Sequence, residues 1–171
     1  ASKGYAAVNK KQVHLLRTLP GSHATIGFLQ TTLTGQRMQA TILDGDFTIR
    51  DAVSLGSDSI FAVKNGTTTL LSPFAPTGSL GVNANIIVHE GAKLAMHSLN
   101  ATTGTFILAD GDVDCESMVS TGTLYLRRNG VVNTDRIVAT TQLDGVTVGP
   151  LGAHLAINGA TTITLGASAT T

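Results

Sequence analysis

One short pattern recurs through the second half of the chain and limits what it can fold into. An apolar-x-apolar pair is followed by a polar or bent link to a glycine. It occurs in Asn85-Ile-Ile-Val-His-Glu-Gly91, Thr105-Phe-Ile-Leu-Ala-Asp-Gly111, Thr123-Leu-Tyr-Leu-Arg-Arg-Asn-Gly130, Gly145-Val-Thr-Val-Gly-Pro-Leu-Gly152 and Thr162-Ile-Thr-Leu-Gly166. The pairs are Ile86/Val88, Phe106/Leu108, Leu124/Leu126, Val146/Val148 and Ile163/Leu165, whose second members step by 20, 18, 22 and 17 residues. A repeat of that period is the signature of a solenoid. A step near 18 divides into three sides of about six residues, each the length of a typical strand.

Further inward positions follow from alternation: Leu94, Met96 and Leu99, then Val113, Cys115 and Met118, then Val132 and Ile137, then Leu155 and Ile157. In Val113-Asp-Cys-Glu116 the period of two sends Val113 and Cys115 inward and Asp112, Asp114 and Glu116 outward. The sequence therefore predicts an all-β chain built as a short parallel β-helix. The usual crossover preference makes it right-handed. The rival is an antiparallel jelly roll or β-sandwich. That rival predicts paired hairpin turns, of which few clean ones are present; Lys64-Asn65-Gly66, Asp110-Gly111, Arg128-Asn129-Gly130 and Asn158-Gly159 keep it open, because such dipeptides make hairpin turns.

Residues 1–46 lack the repeat and hold five of the eleven basic residues: Lys3, Lys10, Lys11, Arg17 and Arg37. They read as an N-terminal arm and cap, with the β-helix rod at 47–171. A solenoid end needs a cap, since its last rung otherwise exposes unpaired backbone. Asp44-Gly-Asp46 reads as a turn at the junction. Thr67 to Gly78 carries Pro73 and Pro76, so a loop or bulge leaving the stack is expected there.

Composition narrows function. Charged residues are 13% and the net charge is zero, so the chain has no field to concentrate nucleic acid or an anionic membrane. No run approaches the roughly 20 apolar residues of a membrane span. Aromatic content is 4% with no Trp, which argues against a large ligand pocket or a sugar-stacking groove.

The acidic stretch Asp110-Gly-Asp-Val-Asp-Cys-Glu116 is the best chemical candidate. Asp112, Asp114 and Glu116 on one outer face have the spacing to hold a hard cation such as Ca²⁺. The simpler reading is a solvated face, with Asp110 pairing to Arg128 one coil later. The five histidines frame no zinc site, and no serine lies in a nucleophile elbow. An inward Cys115 reads as an inert thiol. No catalytic residue and no cofactor are expected. Thr67-Thr-Thr69 and Thr161-Thr-Ile-Thr164 raise an ice-binding array, but the threonines fall at no fixed step.

The Thr-Gly-Thr turns and apolar-x-apolar strands of residues 86–171 resemble β-helical structural proteins of phage virions, such as capsid decoration, cement and fibre proteins. They resemble the bactofilins, filament-forming cytoskeletal proteins, less closely. The first resemblance implies a non-enzymatic virion protein that forms a homo-oligomer, a trimer. It would contact a major capsid protein or another virion protein. The second implies a filament in the bacterial cytoplasm, and a polysaccharide-binding β-helix is a further alternative. Partner contacts are expected on the arm, at Val13, Leu15, Leu16, Ile26 and Phe28.

Overall fold

Neighbouring parallel strands need a return path, and a short repeat supplies one only by winding the chain into coils. The computed structural model describes residues 2–8, 11–27, 29–31, 37–51, 53–55, 59–76, 84–102 and 104–164. Among these there is no helix, and the strands form three parallel ladders. The first ladder stacks Lys11–Arg17, residues 37–43, Ile60–Asn65, Ala84–Val88, Thr105–Ala109, residues 123–127, residues 140–144 and Thr161–Thr164. The second stacks Ser22–Ile26, residues 45–49, Thr67–Leu70, residues 93–96, 112–115 and 131–133, and Thr147–Gly149. The third stacks Leu29–Thr31, Val53–Leu55, Phe74–Pro76, residues 98–101, 117–119 and 136–138, and Ala156–Asn158. Each coil visits the ladders in the same order, so the fold is the parallel β-solenoid that the repeat predicts. The jelly roll requires antiparallel neighbours. Among the described residues only Ser2–Val8 pairs that way, on Lys11–Arg17.

The stack begins earlier than the expected division at residue 46. Lys11–Arg17 and Ser22–Ile26 pair in parallel with the single strand Arg37–Ile49, and Phe47 lies inside that strand. Residues 11–27 and 29–31 therefore belong to the coils of the stack rather than to a free arm. The sequence hides this because the first step of the ladder is longer than those of the clear repeat: Leu16 pairs with Thr41, 25 residues on, whereas Ile107 pairs with Leu126, 19 on. The proline-bearing segment also stays largely in the stack. Thr67–Leu70 and Phe74–Pro76 are both strands, and only Leu99 continues the pairing beyond Phe74, so Pro76 ends its strand where no further ladder bond is needed.

Columns of like side chains fill the interior. Phe61, Ile86, Ile107 and Leu126 descend from the first ladder, and Leu94, Val113 and Val132 from the second. Phe74, Leu99, Met118 and Ile137 descend from the third, and all of these are fully buried. Phe61 and Phe74 meet across the interior with ring centroids 5.4 Å apart. Burial at about 25 cal/mol per Å² makes these columns the main source of stability. The inward positions expected at 94, 96, 99, 113, 115, 118, 132 and 137 are all buried. Ile157 is 42% exposed, because nothing among the described residues stacks beyond its ladder position.

Two of the five repeat units are shifted from their expected places. Thr105 pairs with Leu124, not with Thr123, so Ile107 joins the interior and Phe106 and Leu108 face outward. A slip of one residue exchanges the two faces of a strand. Val146 precedes the second-ladder strand Thr147–Gly149 and Val148 lies within it, paired with Val132; the first-ladder position of that coil belongs to Leu143.

The dipeptides that suggested hairpins are corners: Asn158-Gly159 leads from the third ladder back to the first, and the other three, with three more Asp-Gly or Glu-Gly pairs, lead from the first to the second. Asp44-Gly45, Asn65-Gly66, Glu90-Gly91, Asp110-Gly111, Asn129-Gly130 and Asp144-Gly145 all stand where the chain turns from the first ladder to the second. Gly66 needs glycine on two counts. Its φ is +69°, and an added Cβ would lie 2.5 Å from the carbonyl oxygen of Gly45 in the adjacent coil.

Candidate interaction surface

A parallel sheet covered on one side alternates apolar and polar residues, whereas one covered on both sides has continuous apolar runs. The first ladder has such runs: Ile60-Phe-Ala-Val63, Ile86-Ile-Val88 and Phe106-Ile-Leu-Ala109. Their inward members are core. Their outward members form two rows on the outer surface. Ladder pairing orders one row as Leu15, Ala40, Ile60, Asn85, Phe106, Tyr125 and Gln142. The other is Arg17, Ile42, Ala62, Ile87, Leu108, Arg127 and Asp144. Most of these side chains are half-buried by their neighbours, and Ala62 is shielded between Ile42 and Ile87.

Strand spacing dictates local geometry within the strip. Phe106 and Tyr125 occupy matching positions on adjacent strands, and their rings stack with centroids 4.2 Å apart and planes 8° from parallel. The guanidinium of Arg127 lies over both, 5.1 Å from the Phe106 centroid and 5.3 Å from that of Tyr125. It attracts the electron-rich ring faces. The result is a flat aromatic platform inside an otherwise aliphatic strip.

The outer surface of the second ladder differs in chemistry. His23, Asp46, Thr67, Lys93 and Asp112 follow one another in one row, beside Thr25, Thr48, Thr69, Ala95, Asp114 and Asn133. Three of those threonines share one column although their sequence steps differ, because the coils differ in length. His23 pairs with Asp46 at 3.3 Å, and Asp46 accepts the backbone N–H of Thr67 at 2.8 Å.

The acidic stretch is divided among separate partners. Lys93 reaches Asp114 at 2.5 Å, and Asn133 donates to the same carboxylate at 2.8 Å. Burial alone would raise the Asp114 carboxyl, but the bonds from Lys93 and Asn133 outweigh it and hold it below its ordinary range. The same contact with Asp114 raises the Lys93 ammonium. Glu116 lies past the next corner and pairs with His97 at 2.7 Å. Arg128 meets Asp110 at 2.5 Å, the cross-coil pair expected from the sequence. Asp112 is exposed on the second ladder, two residues before Asp114. The three carboxylates of the cation candidate thus do not converge on one point. Cys115 is fully buried, donates weakly to the carbonyl of Ser117 at 3.3 Å, and is pushed up to about 12 by burial.

Among the expected partner contacts, Leu16 and Ile26 pack against the core instead, because the coil extends to their strands. Leu15 faces outward and continues the first-ladder strip. Val13 is described only as a strand position, and Phe28 lies outside the described residues. Sequence reading missed the strip because it assigned Phe106 and Leu108 to the interior. The continuous apolar runs were the signal available. Comparison with known protein families, curated proteins and solved structures gives no match to this chain.

Proposed function

We propose that this protein is a non-enzymatic structural rod that acts by packing against other protein surfaces, as the decoration, cement and fibre proteins of phage virions do. The observation that carries the reading is the apolar outer strip of the first ladder, from Leu15 to Tyr125. A sheet with two apolar surfaces has an interior to cover one of them and needs a partner to cover the other. The rest of the design supports a passive role. Backbone groups are paired coil to coil, which makes a thin rod stiff. The acidic side chains of the 110–116 stretch with close partners are held in separate cross-coil pairs, not gathered in a cleft. The proposed partners are further copies of the chain and a major capsid protein or other virion protein.

Light scattering of the purified protein tests the reading. A discrete oligomer is expected, and Leu108→Arg should break it while leaving the β circular dichroism unchanged. Long filaments under negative stain would support the bactofilin alternative instead. Turnover of a polysaccharide, lost in Asp112→Ala or Asp114→Ala, would overturn the non-enzymatic reading.

A further inference from the structure

The order of residue sizes and charges along the strip identifies its occupant. Take the coil of Asn85 and Ile87 as the centre. On one side the paired levels hold Ile60 and Ala62, then Ala40 and Ile42, then Leu15 and Arg17. On the other they hold Phe106 and Leu108, then Tyr125 and Arg127, then Gln142 and Asp144. The two alanines of the strip, Ala40 and Ala62, thus lie on one side of the centre, level for level with Tyr125 and Leu108 on the other, and opposite charges stand at the two ends.

We propose that two copies of this chain pack face to face through this strip, with their rods antiparallel, about a two-fold axis at the level of Asn85. The inference rests on the self-association proposed above and specifies its geometry. That axis keeps each row opposite itself and reverses the order of coils. Leu108 of one copy then faces Ala62 of the other and Tyr125 faces Ala40, while Phe106 meets Ile60 and the aliphatic stem of Arg127 meets Ile42. Large against small at facing positions is how sheet surfaces interdigitate without voids. Asn85, the polar residue among the central apolar ones, faces its own symmetry mate, where two amides can donate and accept reciprocally. A single self-paired polar residue in an apolar seam fixes register. At the ends Arg17 faces Asp144, and the symmetry makes two such pairs.

The competing arrangement has parallel rods. It opposes residues of the same coil, so Asn85 faces Ile87 and Arg17 faces Leu15. It buries an amide with no partner and gains neither charge pair. With coils about 4.8 Å apart, the five levels from Ala40 to Tyr125 span roughly 20–25 Å, and a strand adds about 15 Å of width. The accessible area covered per copy is then on the order of 500 Å². That is near the low end for specific complexes, so association in the micromolar range is expected.

Cysteine cross-linking of the full chain tests the geometry. Arg17 and Asp144 are six coils apart, so each is roughly 29 Å from its own symmetry mate in the proposed dimer. Arg17→Cys and Asp144→Cys chains, mixed and treated with a short bis-maleimide, should cross-link to each other. Neither should cross-link alone, and the buried Cys115 does not compete. Sedimentation should give a dimer that either Arg17→Glu or Asp144→Arg weakens about tenfold, with recovery in the double variant. Cross-linking within the Arg17→Cys chain alone would mean parallel rods. A trimer, or a dimer indifferent to the charge swap, overturns the two-fold but leaves self-association standing. A monomer at every concentration overturns both.

Discussion

Asn65 donates its side-chain amide to Oδ1 of Asp44 at 2.7 Å, across two adjacent coils of the same corner. Asp44 is fully buried, its backbone N–H is accepted by Thr18 Oγ1 at 2.7 Å, and Lys64 Nζ stands 3.1 Å from Oδ2 as an ion pair without an aligned hydrogen bond. The Asn65 bond, with the charges of Lys64 and Arg17, holds the carboxyl below its ordinary range against the opposing effect of burial. The corner is thus fastened by side chains as well as by ladder bonds.

Acid should loosen this corner first. A lowered Asp44 contributes stability that is complete above the ordinary carboxylate value of about 3.9 and is lost as pH falls through its folded value. Asp114 acts in the same direction. Urea midpoints should therefore fall below about pH 4, and Asn65→Ala, which brings the folded value nearer the ordinary one, should lower stability at neutral pH and make that fall smaller. An unchanged acid profile in Asn65→Ala would remove the corner from the account. Lys93, raised in the fold, contributes stability below its ordinary value of about 10.4 that is lost as pH climbs through the folded value. Lys93→Met should flatten that alkaline decline.

Thr68 is buried in the core column between Phe47 and Leu94, and its hydroxyl has no hydrogen-bond partner. Thr68→Val keeps the shape and removes the uncompensated polar atom. It should stabilise the protein by about 1 kcal/mol in chemical unfolding. A loss of stability would mean that the hydroxyl is satisfied.

The register of Thr105–Ala109 predicts opposite behaviour for adjacent residues. Ile107→Ala should cost about 2–5 kcal/mol, as for any buried aliphatic side chain. Leu108→Ala should cost less than about 1 kcal/mol in the dissociated protein and act mainly on association. Equal losses at the two positions would contradict the pairing of Thr105 with Leu124.

Two corner glycines separate backbone strain from collision. Gly91 has φ +74° but open space where a Cβ would go, so Gly91→Ala should cost about 1–2 kcal/mol from conformation alone. Gly66→Ala adds a clash with the Gly45 carbonyl and should cost distinctly more. Thermal unfolding of the two variants side by side provides the comparison.

Cys115 should stay unmodified by thiol reagents at neutral pH until the protein unfolds, because its thiol is both enclosed and pushed up to about 12. Labelling in the native state at the rate of a free thiol would place it at the surface.

The sequence by itself determined the solenoid. Repeated apolar pairs at a step near 18, with glycines between, can bury one face of every strand only by coiling. Alternation in Val113-Asp-Cys-Glu116 and its neighbours placed the core of the second and third ladders, because those strands are apolar on one face only. Tertiary structure decided the rest. Ile60-Phe-Ala-Val63 and Phe106-Ile-Leu-Ala109 are apolar at every position, so period alone cannot say which parity points inward. That choice fell to the ladder partner, and with it the location of the outer strip. Asp112, Asp114 and Glu116 looked like one set in the sequence. Lys93, Asn133 and His97, contributed by neighbouring coils, divide it, and no local pattern records which residue the coil brings alongside.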